Sequence, residues 1–177
     1  TMCKNLILRS ASTDDAKQLI SIYAPYVENT AVSLEHKVPS APEFRRRIEF
    51  TKLKYPFIVA EVEGRVVGYC YAGSFHARRN FDWEAELSIF VDKDFHGQGI
   101  GSALYSEMEK QLVDAGIVTL YACISSTPRE NDAYLSDDGI RFHETHGYHL
   151  CGTFTRCAKK FNEWYNIVYM EKHLKAS

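Results

Sequence analysis

The stretch Glu84-Ala85-Glu86-Leu87-Ser88-Ile89-Phe90-Val91-Asp92-Lys93-Asp94-Phe95-His96-Gly97-Gln98-Gly99-Ile100-Gly101-Ser102 decides how this chain is read. Its first half alternates. Ala85, Leu87, Ile89 and Val91 fall on one side, and Glu84, Glu86, Ser88 and Phe90 on the other, the period of a β-strand. Its second half is a glycine-rich turn. Behind that turn Ile100, Leu104, Met108 and Leu112 step by four, the apolar stripe of a helix, and Gly116 supplies a stop. A strand therefore runs through a glycine turn into a helix. Glycines let a backbone approach a ligand closely, and the free N–H groups of a helix N-terminus bind anions, so a pyrophosphate is a natural guest. A P-loop does not fit, because no Lys-Ser/Thr pair follows. A Rossmann fingerprint fits poorly, because the spacing is GxGxG and the turn follows a late strand. Taken bare, the motif reads equally well as a tight structural turn.

Working outward, Leu6 to Arg9 is a short apolar run suited to a strand. Ser12-Thr13-Asp14-Asp15 offers helix N-cap chemistry, followed by Ala16, Leu19, Ile20, Tyr23 and Val27 at helical spacing. Pro25 is expected to kink that helix or end it early. Pro42 suits a helix first turn, with Phe44 and Ile48 four apart behind it. Phe57 to Val62 and Arg65 to Ala72 flank Glu63-Gly64 as an antiparallel hairpin. Gly73 to Asp82 is a polar loop. Beyond the central helix, Val118 to Ile124 reads as a strand and Thr127 to Gly139 as a long polar segment. Phe142 to His146 reads as a short helix ended by Gly147, and Tyr148 to Thr155 and Trp164 to Met170 as two final strands. Hairpins and helices mix with few βαβ repeats, so the class is α+β, a sheet with helices on its faces.

Composition narrows the function. The chain has 177 residues, 45% hydrophobic and 25% charged, which fits one globular domain spanning 1–177 and excludes a disordered chain. The net charge of −2 argues against a general nucleic-acid binder. The five cysteines form no CxxC pair, so a reducing, cytoplasmic setting is expected. The longest apolar run, Ile117 to Ile124, is far too short to span a bilayer, and no membrane partner is expected. His143, His146, His149 and Cys151 match no zinc spacing, so no metal is expected.

The strand, the run His96-Gly97-Gln98-Gly99-Ile100-Gly101 and the amphipathic helix together resemble the acetyl-coenzyme A signature of the GNAT N-acetyltransferases. Tyr71-Ala72-Gly73, Ala77-Arg78, Phe81-Asp82-Trp83 and Glu86 resemble the phosphinothricin N-acetyltransferase group within it. So do Phe142-His143-Glu144, Gly147-Tyr148, Gly152-Thr153, Lys160 and Trp164, and the likeness runs from Leu6 to Glu171. It implies a central, mostly antiparallel mixed sheet of about seven strands with helices on both faces. Three positions depart from the pattern. His96 stands where Arg or Gln is usual, the segment Thr127 to Asp138 is longer, and Ala158 and Asn162 replace glycines around the late lysine.

The resemblance implies an acetyl-CoA-dependent enzyme acting on the primary amine of a small amino acid-like acceptor, of the phosphinothricin, methionine sulfoximine or methionine sulfone type. Amides of Ile89, Phe90 and Val91 are expected to hold the pantetheine arm as an added strand. Those of His96, Gly97, Gln98, Gly99, Ile100, Gly101 and Ser102 take the pyrophosphate, and Asn131 is the candidate for a further coenzyme contact. Glu86 is the expected base, because an amine arrives protonated and must lose a proton before it attacks a thioester. The alternation alone leaves Glu86 equally well a solvated strand carboxylate. His143 stands where the group has a histidine, and an imidazole serves as acid or base near neutral pH. Arg78 is the candidate for the acceptor's carboxylate, with Leu34, Tyr71 and His76 around it. A homodimer is implied. Acetylation of a protein N-terminus or a polyamine, and a non-catalytic coenzyme A sensor, are the competing readings.

Overall fold

The computed structural model describes residues 5–76 and 82–174. Seven strands form one sheet in the order β1-β2-β3-β4-β5-β7-β6. They are β1 (Leu6–Ser10), β2 (Phe57–Val62), β3 (Arg65–Gly73), β4 (Glu84–Val91), β5 (Thr119–Ser126), β6 (His149–Lys160) and β7 (Glu163–His173). Neighbours are antiparallel except β4 and β5. A parallel pair needs a crossover, and α3 (Ile100–Asp114) supplies it. The other helices are α1 (Ala16–Asn29), α2 (Ala41–Lys52) and α4 (Asp138–Thr145).

The alternation of β4 divides the core in two. Ala85 and Leu87 pack with Ile58, Cys70, Leu104, Met108, Leu120 and Met170 on the α3 side. Phe90 joins Tyr23, Phe44, Phe57, Val59 and Tyr69 beneath α1 and α2. Glu63 and Gly64 both take positive φ (51° and 79°), the two-residue turn that right-twisted strands favour. Phe161 and Asn162 repeat it at 51° and 61° between β6 and β7, so Asn162 fills a left-handed position that glycine would otherwise occupy.

Three expectations change. Pro25 neither ends nor shortens α1, which runs on to Asn29. The carbonyl that Pro25 leaves without its usual partner belongs to exposed Ser21, on the solvent side of the helix where losing that bond costs least, and burial of Tyr23 and Val27 holds the helix on the sheet. The late helix begins at Asp138, four residues before Phe142. The last two strands extend to 12 and 11 residues, because β6 continues through bulges that the sequence alternation does not announce.

The long segment after β5 is pinned. The Asp132 carboxylate accepts from Arg129 Nε (2.8 Å), Tyr165 Oη (3.0 Å) and the Tyr134 amide (2.9 Å). Tyr134 stacks on Phe161 at 4.1 Å. On the same side Lys160, 4% exposed, donates to the carbonyls of Val27 (2.6 Å), Thr30 (2.7 Å) and Ser33 (2.7 Å). One ammonium thereby closes the end of α1 and the loop after it onto the β6–β7 turn.

Candidate active site

β4 and β5 pair only from Glu84↔Thr119 to Leu87↔Ala122. Beyond that the strands part. Ser88 to Val91 keep their partners on β3, but their other edge faces a gap. The gap opens into a cleft of about 550 Å³ lined by Leu87 to Val91, Ala122 to Ser125, His96, Gly97, Ile100, Gly101 and Tyr105, and by Asp138, Phe142 and His143. An unpaired strand edge inside a cleft offers backbone N–H and C=O groups to any extended guest.

The glycine turn ends at the floor of this cleft. Gly97 and Gly99 sit at φ 73° and 79°, and Gly99 is the N-cap of α3 with no side chain capping the helix. The first-turn amides of α3 therefore lack the partner that most helices give them. Gly101 is needed for another reason. A Cβ there would lie 2.8 Å from Phe142 Cε2, so the missing side chain is what lets α4 pack against the start of α3. His96 turns away from the turn's amides. Tyr26 Oη donates to the Val91 carbonyl at 2.5 Å, and His96 Nε2 lies 2.8 Å from Tyr26 Oη and 3.1 Å from that carbonyl. Gln98 Nε2 donates to Asp94 O (3.3 Å), and Ser102 Oγ meets His146 Nε2 at 2.9 Å.

Glu86 leaves the sheet on the face of α1 and α2, at the root of the split. Cross-strand register sets it beside Gly73 and Tyr121. Burial pushes its carboxyl above the usual range, and among the described residues it has no hydrogen-bond donor. A carboxylate so placed is a stronger proton acceptor than one in water. Tyr71, two pairs further along and opposite Ser88, is partly buried and stacks on Phe57 at 5.1 Å. A smaller hollow of about 160 Å³ adjoins it, lined by Tyr23, Phe44, Phe57, Tyr69 and Phe90. At its rim Arg47 pairs with Glu35 (2.7 Å) and Glu43 (2.9 Å).

His143 is 6% exposed. Its Nδ1 lies 2.7 Å from the Gly139 carbonyl, which can only accept, so Nδ1 carries the proton. Nε2 then accepts from Tyr105 Oη at 2.7 Å. Burial lowers the ring's pKa to about 4, so near neutral pH it is an uncharged imidazole with both nitrogens engaged. Tyr105, fully buried, is a cleft residue that sequence reasoning passed over. It follows Leu104 on α3, and its place beside the apolar stripe was the available signal.

The remaining expectations separate. Leu34 packs with Ala31, Leu135 and Tyr165 under the long segment. His76 Nδ1 lies 3.2 Å from Glu84 Oε1. Asn131 is exposed, at φ 53°, and is not among the cleft residues. The clamp on Asp132 turns it outward, and the segment meets the cleft through Leu135, Ser136 and Asp138 instead. Arg78 lies outside the described residues, as do Ala77, Arg79 and Phe81. Among the described residues no helix is long and apolar enough to cross a membrane.

A sheet split at its one parallel pair, with an uncapped helix start at the floor of the gap, defines an acyltransferase scaffold. The profile described as Acetyltransferase (GNAT) domain matches residues 8–169, and the chain belongs to that family. It is similar to a phosphinothricin N-acetyltransferase of Streptomyces viridochromogenes, 28% identical over 165 residues, covering 93% of this chain and 86% of the other. It is similar also to an L-methionine sulfoximine/L-methionine sulfone acetyltransferase of Pseudomonas aeruginosa, 25% identical over 170 residues, covering 94% of each. Among solved structures, a GNAT superfamily phosphinothricin acetyltransferase from Sinorhizobium meliloti in complex with AcCoA superposes with a TM-score of 0.86. The identity is 28%, with 96% of this chain and 89% of that one covered.

Proposed function

We propose that this enzyme transfers the acetyl group of acetyl-CoA to the primary amine of a small amino acid-like acceptor, of the phosphinothricin or methionine sulfoximine and sulfone type. The split between β4 and β5 above the open start of α3 carries the reading. The pantetheine arm lies as a strand along Ile89–Val91, and the pyrophosphate sits on the amides of residues 97–102. The acceptor enters from the face of α1 and α2, where Glu86 and Tyr71 lie. Its ammonium gives a proton to Glu86, directly or through one water. The free amine attacks the thioester carbonyl in a ternary complex. The C–S bond breaks, and the departing thiolate takes the proton that the new amide nitrogen sheds. His143, neutral and doubly bonded, serves by fixing Tyr105 against the cleft rather than as the acid.

The enzyme works as a homodimer in this reading. The outer strand β6 is exposed along most of its length and carries Leu150 and Phe154, beside Trp164 of β7, a strand edge and apolar surface that a second copy can cover. A monomeric mass in sedimentation at micromolar concentration overturns that part. Free Cys70, Cys123, Cys151 and Cys157 suit a reducing compartment.

CoA release is the test, read with a thiol reagent against phosphinothricin, methionine sulfoximine, methionine sulfone, common amino acids, spermidine and an N-terminal peptide. Saturable release with one of the first three supports the proposal. Release only with spermidine or peptide refutes the acceptor class. Acetyl-CoA binding without release across the panel refutes the transfer. Glu86→Gln is expected to lower kcat by roughly 10²–10³ with acetyl-CoA affinity kept.

A further inference from the structure

Away from the cleft, the same sheet face carries a second set of side chains that converge on one point. Glu171 and His173 stand two residues apart on β7, hence on one face. His149 of β6 is the direct cross-strand partner of Glu171, and Thr119 of β5 is that of His173. His149 Nε2 lies 2.9 Å from Glu171 Oε1, and His173 Nε2 lies 3.7 Å from the same oxygen. One ligand atom from each of the three residues falls within 4.8 Å of the others.

We propose that His149, Glu171 and His173 form a binding site for one divalent late first-row transition ion such as Zn²⁺. Ligands about 2.0–2.1 Å from such an ion stand roughly 2.9–3.4 Å apart at octahedral or tetrahedral angles; the two distances to Glu171 Oε1 straddle that spacing, and the exposed side chains have only to close a group already within 4.8 Å. His173 Nδ1 meets Thr119 Oγ1 at 3.2 Å. That bond ties off one ring nitrogen and leaves the Nε2 lone pair for a metal, the outer contact that ligating histidines typically have. Two imidazoles and one carboxylate favour Zn²⁺, Ni²⁺ or Co²⁺ over Mg²⁺ or Ca²⁺, which want oxygen. The histidine side chains are 60% and 65% exposed, so water can complete the coordination. The ion would join β6 to the end of β7, where the sheet has its outer edge.

The test is calorimetric titration of chelator-treated, untagged protein with ZnCl₂. It is run in a Cys151→Ser background, because that thiol adjoins Glu171. Zinc alone is the probe, so the outcome is independent of acceptor and coenzyme. One ion per chain is expected, with Tm rising by roughly 5–10 °C at a hundredfold excess over Kd. His149→Ala and His173→Gln should each weaken binding at least tenfold and remove most of the Tm shift. Both sites are at the surface, and circular dichroism checks that each variant folds. No stoichiometric binding overturns the proposal and leaves the cluster an ordinary ion pair. So does binding that survives both substitutions.

Discussion

Replacing Lys160 by methionine keeps the aliphatic stem and removes the ammonium. Three carbonyls then lose their donor together: Val27 in the last turn of α1, Thr30 at its end and Ser33 in the loop. Hydrogen bonds from a charged donor contribute about 1.5–3 kcal/mol each, which sets a gross loss of about 4.5–9 kcal/mol. Burying the ammonium itself costs several kcal/mol, which the substitution returns. The net loss expected is about 3 kcal/mol, or a fall in Tm of roughly 6–12 °C for a chain of this size. Lys159→Met, at the exposed neighbouring position, should stay within about 0.5 kcal/mol. Urea unfolding followed by circular dichroism measures both. Because the loop also presents Glu35, which pairs with Arg47 at the rim of the hollow beside Tyr71, KM for the acceptor should rise more than KM for acetyl-CoA. If Lys160→Met matches Lys159→Met in stability, the three bonds do not hold the loop and the reasoning fails.

Other perturbations test separate parts of the molecule. Gly101→Ala sets a methyl 2.8 Å from Phe142; a loss of about 1–3 kcal/mol is expected, with weaker acetyl-CoA binding, and Phe142→Leu should restore part of both. Glu86→Gln, besides losing turnover, should raise stability at pH 7, read as a rise in Tm. The raised carboxyl penalises the folded state once it ionises, and a drop in Tm would contradict its burial. Asp15 behaves oppositely. Burial raises its pKa, but the Arg9 hydrogen bonds at 2.8 and 2.9 Å and the Ser12 amide outweigh that and hold it low. Its contribution is present above the unfolded carboxylate range and lost as pH falls through the lowered value. Wild type should therefore lose more stability than Asp15→Asn between about pH 5 and pH 2, and parallel acid profiles would exclude that role. Asp132→Ala frees Arg129 and the Tyr165 hydroxyl; about 2 kcal/mol should be lost, with faster proteolysis within 127–137.

The elements legible in the sequence were those where local chemistry and packing agree. The two faces of β4, the hairpin at Glu63-Gly64, the stripe of α3 and the stops at Gly116 and Gly147 follow from periodicity and turn residues. Pro25 misled because a local penalty that falls on a solvated carbonyl is small against two buried side chains. Asn131 stands outside the cleft for a reason side-chain type does not carry: Asp132, its neighbour, takes the anchoring contacts and sets the direction of the loop. At the site, alternation put Glu86 on the strand face opposite Ala85 and Leu87 but only the resemblance singled it out as a base, whereas the glycine turn was visible as spacing between a strand and a helix. The His143–Tyr105 contact was not, since it joins residues 38 apart, and pairs of that separation leave no local pattern. The group of His149, Glu171 and His173 was hidden for the same reason. Its register exists only once β6 and β7 pair.

The splay of β4 from β5 also bears on how the molecule bends. Four residue pairs, Glu84–Leu87 with Thr119–Ala122, join the two halves of the sheet, whereas eight join β5 to β7. The midline is thus a seam fastened at one end, and the two flaps it separates have their cheapest distortion along it. Under the proposed function, a guest lying along Ser88–Val91 would bridge the open length of the seam, and its occupancy would stiffen the sheet as well as the cleft. The substrate that supplies the acetyl group would then double as a removable structural strand, and each turnover would slacken and retighten the sheet.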